Sequence, residues 1–292
     1  MNKRKVEIVV ISILCVFILV LGTYLFFLKD SNNNETLETN IETSEMDNIE
    51  IIDDSLEDNT KYNYLNKMDF SKLDESDWLV KYEDDKFISS IGIDVSEYNG
   101  LVNFYTLKEN GVDFVMLRVG WRGYTEGGLH KDKYFEDYYA EAKDAGLKIG
   151  YYFFSQAINE KEVIEEADFV IENIKDKDCD LFVAYDMESV GNLDSRTYYL
   201  TQNEVTHFAK KFSEIIKDNQ YEPIIYTNHD WAYNHYHMKE FGDTPIWYAQ
   251  YNGYPNVFFN YVMWQYTASA TIDGSSLIGR TDLNLMLEKK HD

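Results

Sequence analysis

The sequence predicts an α/β protein: an incomplete TIM-like (β/α) barrel preceded by one transmembrane helix and an acidic linker. An apolar run near the N-terminus is followed by an acidic stretch, and short apolar runs then alternate with helical patterns. Such alternation is typical of a parallel sheet whose connections are helices. Hydrophobic residues make up 45% of the 292 residues and aromatic residues 16%, so the chain can bury a sizeable core.

The first element is a candidate transmembrane helix at residues 6–28. A helix of this length extends about 34 Å, slightly more than the roughly 30 Å hydrocarbon core of a bilayer. Lys3, Arg4 and Lys5 precede the run, so the positive-inside bias places residues 1–5 in the cytoplasm and the rest of the chain outside. A cleaved signal peptide is the alternative, but the run is long for one and lacks a small-residue cleavage site.

The next segments differ sharply in composition. Residues 29–60 are predicted to form a disordered linker, because eleven acidic residues and no basic one lie between Asp30 and Asn59. Apolar side chains return at residues 61–90, which either form a stalk or pack against the following domain. Residues 91–292 are predicted to form the barrel.

The barrel region contains seven candidate strands, at residues 91–95, 114–119, 148–154, 181–187, 223–226, 246–251 and 262–266. They are continuous and rich in Val, Ile, Phe and Tyr, as expected of strands buried on both faces. Helices are predicted at 133–145, along an apolar stripe from 163 to 174, and after a capping box formed by Thr201 and Glu204. Seven or eight strands in about 200 residues favour a closed barrel. The shorter later connections indicate that the last helices are missing.

Composition and missing motifs exclude several functions. A net charge of −25 argues against nucleic-acid binding, which needs cationic groups. The two cysteines, Cys15 and Cys179, cannot make a disulfide framework or a cysteine zinc site. No GxSxG, P-loop or GxGxxG motif occurs, and no cofactor or metal is expected. A metal site at His229, His235 and His237 is the alternative to rim histidines, but structural zinc needs about four ligands.

Four acids are candidates for chemistry, because barrel enzymes react where strands end. Asp94 ends the first strand, Asp186 and Glu188 end the fourth, and Asp282 lies near the C-terminus. Asp186 and Glu188 are two apart on an extended segment, so their side chains leave the same face. Apolar neighbours and a nearby like charge raise a carboxyl pKa, which suits a general acid for glycoside cleavage. The alternative is a pair of acids that cap the next helix or face solvent.

Aromatic and polar residues near strand ends are candidates for sugar binding. Aromatic rings stack on the apolar faces of sugars, although large rings also fill barrel cores. Arg118 and Gln265 interrupt apolar strands, and buried polar groups need partners, so links to the acids are expected. The aromatic candidates are Tyr152, Tyr226, Trp247, Tyr251 and Trp264.

An ordered set of motifs resembles one known family. From about residue 91 to 287 the chain resembles glycoside hydrolase family 25, the Chalaropsis-type lysozymes or N-acetylmuramidases. Each motif alone is weak, whereas the set in this order is specific. The matching segments are Gly92-Ile93-Asp94-Val95-Ser96, Phe114-Val115-Met116-Leu117-Arg118, Ala145-Gly146-Leu147-Lys148-Ile149-Gly150-Tyr151-Tyr152, Tyr185-Asp186-Met187-Glu188, Ile246-Trp247-Tyr248-Ala249-Gln250-Tyr251, Trp264-Gln265-Tyr266-Thr267 and Asp282-Leu283-Asn284. The last three of these segments resemble the closing strands of the family.

The resemblance implies hydrolysis of the β-1,4 bond between N-acetylmuramic acid and N-acetylglucosamine in peptidoglycan. It assigns Glu188 as the general acid/base and Asp186 as a helper that orients the substrate acetamido group. It places Asp94 and Asp282 along the cleft. Substrate-assisted glycosidases of this kind are known exceptions to the two-carboxylate scheme.

Two other functions are the alternatives. One is a non-catalytic wall-binding scaffold of an envelope complex, which the presence of all four acids disfavours. The other is a family 18 chitinase, whose D-x-x-D-x-D-x-E signature is absent because Ala184 and Tyr185 stand where acids are needed. We expect a single-pass protein of a Gram-positive cell membrane that opens the wall locally. Growth, or a secretion or conjugation complex, would be the setting.

Overall fold

Eight strands close into a barrel in this computed structural model. It describes residues 68–75, 79–191, 195–272, 274–276 and 281–290. The strands are β1 (Leu73–Asp74), β2 (Lys81–Tyr82), β3 (Phe87–Val95), β4 (Phe114–Arg122), β5 (Leu129–Lys131), β6 (Lys148–Ser155), β7 (Val183–Met187), β8 (Pro223–Asn228), β9 (Ile246–Ala249), β10 (Met263–Ala270) and β11 (Thr281–Lys289). The α-helices are α1 (Phe104–Glu109), α2 (Phe135–Asp144), α3 (Glu160–Ile174) and α4 (Gln202–Asp218).

The strand order explains how the barrel closes. Strands β3, β4, β6, β7, β8, β9 and β10 run parallel around it, and β11 fills the gap between β10 and β3, antiparallel to both. Only residues 271–280 separate β10 from β11, too few for the helical crossover that parallel neighbours require. Because β11 runs backwards, its first residues lie beside the carboxyl end of β3, where Asp282 pairs with Asp94. Strand β5 is an antiparallel addition to β4.

The helices follow local sequence signals. Thr201 and Glu204 form the predicted capping box of α4, with each side chain accepting a hydrogen bond from the other residue's backbone N–H. Gly146, just after α2, has φ of +72°, which a glycine adopts without steric cost. Between β8 and β9 the chain forms only a π-turn (Trp231–His235) and a 3₁₀ turn (Met238–Phe241), and the described residues 250–262 between β9 and β10 contain no helix. The predicted loss of helices from this part of the barrel is confirmed.

Side chains alternate between two apolar layers. On β10, Met263 points into the barrel, whereas Trp264 and Tyr266 pack in the layer outside it. The inner layer is the smaller one, and its members are Phe114, Met116, Tyr152, Leu181, Phe182, Ala184, Ile224, Tyr226, Trp247, Ala249, Val262, Met263 and Met286. Trp264 was a candidate for sugar binding, but the strand's alternation directs it away from the barrel mouth.

The described part of the segment before the barrel packs on the outer layer. Met68, Leu79 and Tyr82 are buried there, and the Phe70 ring stacks on Tyr254 with centroids 4.8 Å apart. Of the two alternatives, stalk or packing segment, this contact pattern fits packing. The first barrel strand begins at Phe87, earlier than the predicted residue 91.

The sequence predicted seven of the eight barrel strands. The local pattern predicted neither β11 nor the short β5 as a strand, although the family resemblance placed Asp282-Leu283-Asn284 on a closing strand. The predicted span at 6–28 and the linker at 29–60 lie outside the described residues. Within the part that the structure describes, no helix is both long and apolar enough to cross a membrane.

Candidate active site

The four predicted acids meet at one end of the barrel. Asp94 lies near the end of β3, Asp186 near the end of β7, and Glu188 just after β7. Asp282 lies at the start of β11, which reaches the same end because that strand runs backwards. Burial and then electrostatic interaction with the carboxyls of Glu188, Asp94 and Asp282 raise the pKa of Asp186, so the four groups act on one another. The topology therefore brings together residues far apart in the chain.

Asp94 is held rigidly by two amides. Gln265 Nε2 and Asn284 Nδ2 each donate a hydrogen bond of 2.8 Å to Asp94 Oδ2. Burial raises the pKa of Asp94 while these hydrogen bonds oppose the rise. The Asp282 carboxyl also bonds to Asp94, and burial followed by the Asp94 charge raises the pKa of Asp282 to about 9. Burial and mutual repulsion of the two charges therefore favour a proton held between Asp282 and Asp94.

Glu188 has the character of a general acid. Burial is the main cause that raises its pKa to about 7, and the charge of Asp94 adds to it. Asn228 Nδ2 donates a hydrogen bond of 3.1 Å to Glu188 Oε2, which favours the charged form and opposes the rise. A carboxyl that titrates near neutral pH can both give and take a proton there.

Asp186 presents an unsatisfied oxygen. The side chain is 7% exposed, and no described residue hydrogen-bonds to its buried Oδ1. Burial and then the charge of Glu188 raise the pKa of Asp186 well above its ordinary value, while Arg118 opposes this. Buried polar atoms are normally paired, so Oδ1 is ready for a polar group of a ligand.

A second set of hydrogen bonds positions the two amides that hold Asp94. Tyr226 and Tyr251 both donate to Gln265 Oε1, at 2.9 and 2.7 Å. Trp247 Nε1 donates to Asn284 Oδ1 at 2.7 Å. These bonds orient the two amides so that their NH₂ groups face Asp94. The expected link from Gln265 to an acid is present.

Tyr152 and Arg118, the two remaining candidates, both lie close to the acids. The Tyr152 ring is buried and contacts Trp247 edge-on, with centroids 6.2 Å apart. Arg118 Nε donates to Asp132 Oδ2 at 2.8 Å, and the guanidinium lies over the rings of Tyr98 and Trp121. Its charge reaches Asp186 and Tyr152.

The three histidines do not converge. His235 stacks on Trp231, and His237 Nε2 lies 2.8 Å from Asn203 Oδ1. His229 contacts the Tyr233 ring instead. Among the described residues no group of three or more His, Cys, Asp or Glu side chains could hold a metal ion.

Sequence reasoning missed Asn228 and Asn284 as site residues. Asn228 lies two residues after Tyr226 on β8, and Asn284 two residues after Asp282 on β11. The two-residue period of a strand was the available signal, because it directs each asparagine to the same face as a residue already chosen.

Comparison with known proteins places the chain. A family model of glycosyl hydrolases family 25 matches residues 93–275, more than half of the chain. The chain belongs to glycosyl hydrolase family 25. The matched region contains Asp94, Asp186 and Glu188, while Asp282 and Asn284 lie beyond it.

Two curated lysozymes are similar to about two thirds of the chain. The chain is 29% identical over 198 residues to the autolytic lysozyme of Clostridium acetobutylicum, covering 66% of this chain and 54% of that protein. It is 27% identical over 207 residues to lysozyme M1 of Streptomyces globisporus, covering 66% of each. The chain thus spans between about half and two thirds of the length of these curated relatives.

The fold agrees with that of solved family 25 structures. A family 25 glycosyl hydrolase from Bacillus anthracis superposes with a TM-score of 0.58 at 21% identity. The superposition covers 68% of this chain and 88% of that one. This likeness supports the barrel architecture.

Proposed function

We propose that this protein is a lysozyme that cleaves the β-1,4 bond between N-acetylmuramic acid and N-acetylglucosamine in peptidoglycan. The observation that carries the proposal is the pairing of Glu188, whose pKa is raised to about 7, with the unpartnered Asp186 at the barrel mouth. The names of the two relatives, an autolytic lysozyme and lysozyme M1, support the same reaction.

In the first step Glu188 acts as the acid. Its proton moves to the glycosidic oxygen as the bond from that oxygen to the anomeric carbon breaks. The acetamido carbonyl oxygen of the same sugar attacks the anomeric carbon, so the new bond forms within the substrate. Asp186 Oδ1 accepts a hydrogen bond from the acetamido N–H and holds the group in line. This accounts for a buried oxygen without a described partner.

In the second step Glu188 acts as the base. The carboxylate takes a proton from water while the water oxygen attacks the anomeric carbon, and the bond to the acetamido oxygen breaks. Glu188 is then protonated again, as at the start. One residue can serve in both directions because its pKa lies near neutral pH. Asp94, fixed by Gln265 and Asn284, supplies a stationary negative charge beside the positive transition state.

The test is mass spectrometry of purified peptidoglycan after digestion with the full-length chain. We expect muropeptides that end in reducing N-acetylmuramic acid. Glu188→Gln should lower their rate of release by about 10²- to 10⁴-fold, the usual contribution of a general acid. Glu222→Gln is the matched control, because Glu222 is exposed and precedes β8 at the opposite end of the barrel.

Two outcomes would count against the proposal. Products that end in reducing N-acetylglucosamine would retain a glycosidase but overturn the assigned bond. A folded chain that releases nothing from several wall preparations between pH 5 and 8 would overturn the lysozyme and favour the scaffold.

We further propose that residues 6–28 anchor the protein in the cell membrane with the barrel outside. The apolar run and its preceding cations support this orientation. The linker and barrel would then face the wall, where tethering keeps the enzyme concentrated near its substrate. Fractionation of intact cells tests this: we expect the chain in the membrane fraction, with its C-terminal part cleaved by external protease.

The setting we propose is local wall opening by the producing cell, for growth or for a secretion or conjugation complex. A strongly acidic protein is repelled by an anionic wall, so tethering must replace electrostatic attachment. Active full-length protein in the cell-free medium would contradict this role.

A further inference from the structure

An exposed aromatic ridge begins beside the candidate general acid. We define the ridge as His229, Tyr233 and Phe258. The His229 and Tyr233 rings have centroids 4.5 Å apart, and those of Tyr233 and Phe258 are 5.3 Å apart. Tyr233 is 42% exposed and Phe258 57% exposed, and His229 is also exposed. Large rings usually bury most of their surface, so three adjacent exposed rings need an explanation.

The ridge is continuous with the site. His229 directly follows Asn228, whose side chain donates the hydrogen bond to Glu188 Oε2. Asn228 Oδ1 also accepts a hydrogen bond from the backbone N–H of Trp231 at 3.1 Å, which fixes the start of the π-turn that carries Tyr233. One side chain therefore positions both the acid and the first part of the ridge.

The far end of the ridge is supported from below. The Phe258 and Phe259 rings meet edge-on with centroids 5.4 Å apart, and Phe259 in turn meets Tyr248 at 5.5 Å. Tyr248 is fully buried. Phe258 is therefore held in place while its outer surface stays exposed, as expected of a preformed binding surface.

We propose that the ridge is a glycan-binding subsite that holds N-acetylhexosamine units beyond the bond being cleaved. Sugar rings present apolar C–H faces that stack on aromatic rings. The net charge of −25 disfavours anionic ligands such as nucleic acid, whereas an acetamido sugar chain without charge is not repelled. The subsite rests on the proposed lysozyme function. It assigns His229, a histidine without a metal or catalytic role here, to substrate binding.

The test measures binding without turnover. The full-length chain carrying Glu188→Gln is titrated by calorimetry with β-1,4-linked N-acetylglucosamine oligomers of two to six sugars, which carry no charge. We expect affinity to rise with oligomer length. Adding Tyr233→Ala or Phe258→Ala should weaken binding of the hexamer by about fivefold and leave the dimer nearly unchanged, as for the loss of one stacked ring.

Control variants separate stacking from general damage. Tyr105→Ala removes another exposed tyrosine, on the outer helix α1, and should leave the affinity for every oligomer unchanged. Tyr233→Leu and Phe258→Leu keep an apolar side chain but lose the flat ring, so they should also weaken hexamer binding. Thermal unfolding of each variant shows that the barrel is intact.

The outcomes distinguish this inference from the proposed function. Equal hexamer affinity in the ridge variants and the parent would overturn the subsite, as would an equal loss for dimer and hexamer. Both results leave the release of muropeptides by the wild-type chain untouched. If the wild-type chain releases no muropeptides while the ridge variants still lose hexamer affinity, the lysozyme fails and glycan binding stands.

Discussion

The two ends of the barrel interior differ in what fills them. At the amino end of the parallel strands the inward side chains are apolar, such as Phe182 before β7 and Met286 on β11. On the same faces, the inward side chains at the carboxyl end are polar, such as Asp186 and Asn284. The amino end stabilises the fold by burying apolar surface, whereas the carboxyl end buries charges at a cost in stability. Chemistry and stability are thus separated within one barrel by a few residues per strand.

The largest expected effect lies at the amino end. A Cβ added at Gly92 would come within 2.2 Å of the Phe114 ring, which packs inside the barrel. Gly92→Ala should therefore lower the free energy of unfolding by about 1–3 kcal/mol, the usual cost of overpacking. Urea unfolding of the full-length chain, followed by tryptophan fluorescence, measures this.

Shortening the opposing ring provides the control for this substitution. Phe114→Leu added to Gly92→Ala should recover part of the loss, since the added methyl group then has space. An unchanged unfolding midpoint in the single variant would contradict the tight packing of the amino end.

At the carboxyl end, removing a charge should instead stabilise the protein. The pKa of Glu188 is raised from 4.5 to about 7 in the fold. Below pH 4.5 the carboxyl is protonated in both the folded and unfolded states. Between 4.5 and 7 only the unfolded chain releases the proton, so stability falls as pH rises and the cost is complete above 7.

Glu188→Gln removes that cost. We expect the variant to gain about 1–2 kcal/mol of unfolding free energy at pH 8, less than the full shift implies because Glu188 partly faces water. At pH 4 it should match the wild type. Glu222→Gln is the control and should show no such difference between the two pH values. A variant no more stable than the wild type at pH 8 would mean that burying Glu188 carries no cost.

The proton of Glu188 should also respond to its neighbour. Asn228→Asp replaces a hydrogen-bond donor by a negative charge, and both changes raise the pKa of Glu188. The protonated acid then persists to higher pH, so the alkaline limb of the pH–kcat profile should move up by about one unit. Asn110→Asp, an exposed change at the end of α1, should leave the limb in place. A downward shift would contradict the role of Asn228.

The smallest effect compares two tryptophans. Trp247→Phe loses the hydrogen bond to Asn284, loosens the support of Asp94, and should lower kcat about threefold, as for one modest hydrogen bond. Trp264→Phe loses a bond to the Gln250 carbonyl in the outer layer and should leave kcat unchanged. Rates of muropeptide release measure both. Equal losses would contradict the assignment of the two rings to different faces.

These two tryptophans also show how far the sequence could predict the site. Both lie in apolar strands near polar residues. They differ only in phase, that is, in whether the alternation of side chains along the strand directs the ring into the barrel or out of it. The phase of β7 was readable, because Asp186 and Glu188 follow a long apolar run. The phase of β10 depended on its pairing with β9 and β11, which no local pattern reveals.

The strands and helices were easier to predict from the sequence than the way in which β11 closes the barrel. Parallel strands and helices leave strong local patterns, and most of them were found. The local pattern missed strand β11, because one of its two partners, β3, lies far away in the chain. The amide support of Asp94 followed from that strand, so Asn284 escaped prediction as well. Long-range pairing, rather than local preference, decided both points.

The antiparallel last strand also determines when the site can assemble during synthesis of the chain. Asp94 and Asn284 are 190 residues apart along the chain, and Gln265 is 171 residues from Asp94. A chain emerging from the ribosome carries Asp94, Asp186 and Glu188 well before β11 has been made. Until that strand inserts, the barrel is open and Asp94 lacks its support. The proposed lysozyme site is therefore complete only when the chain has been made through β11.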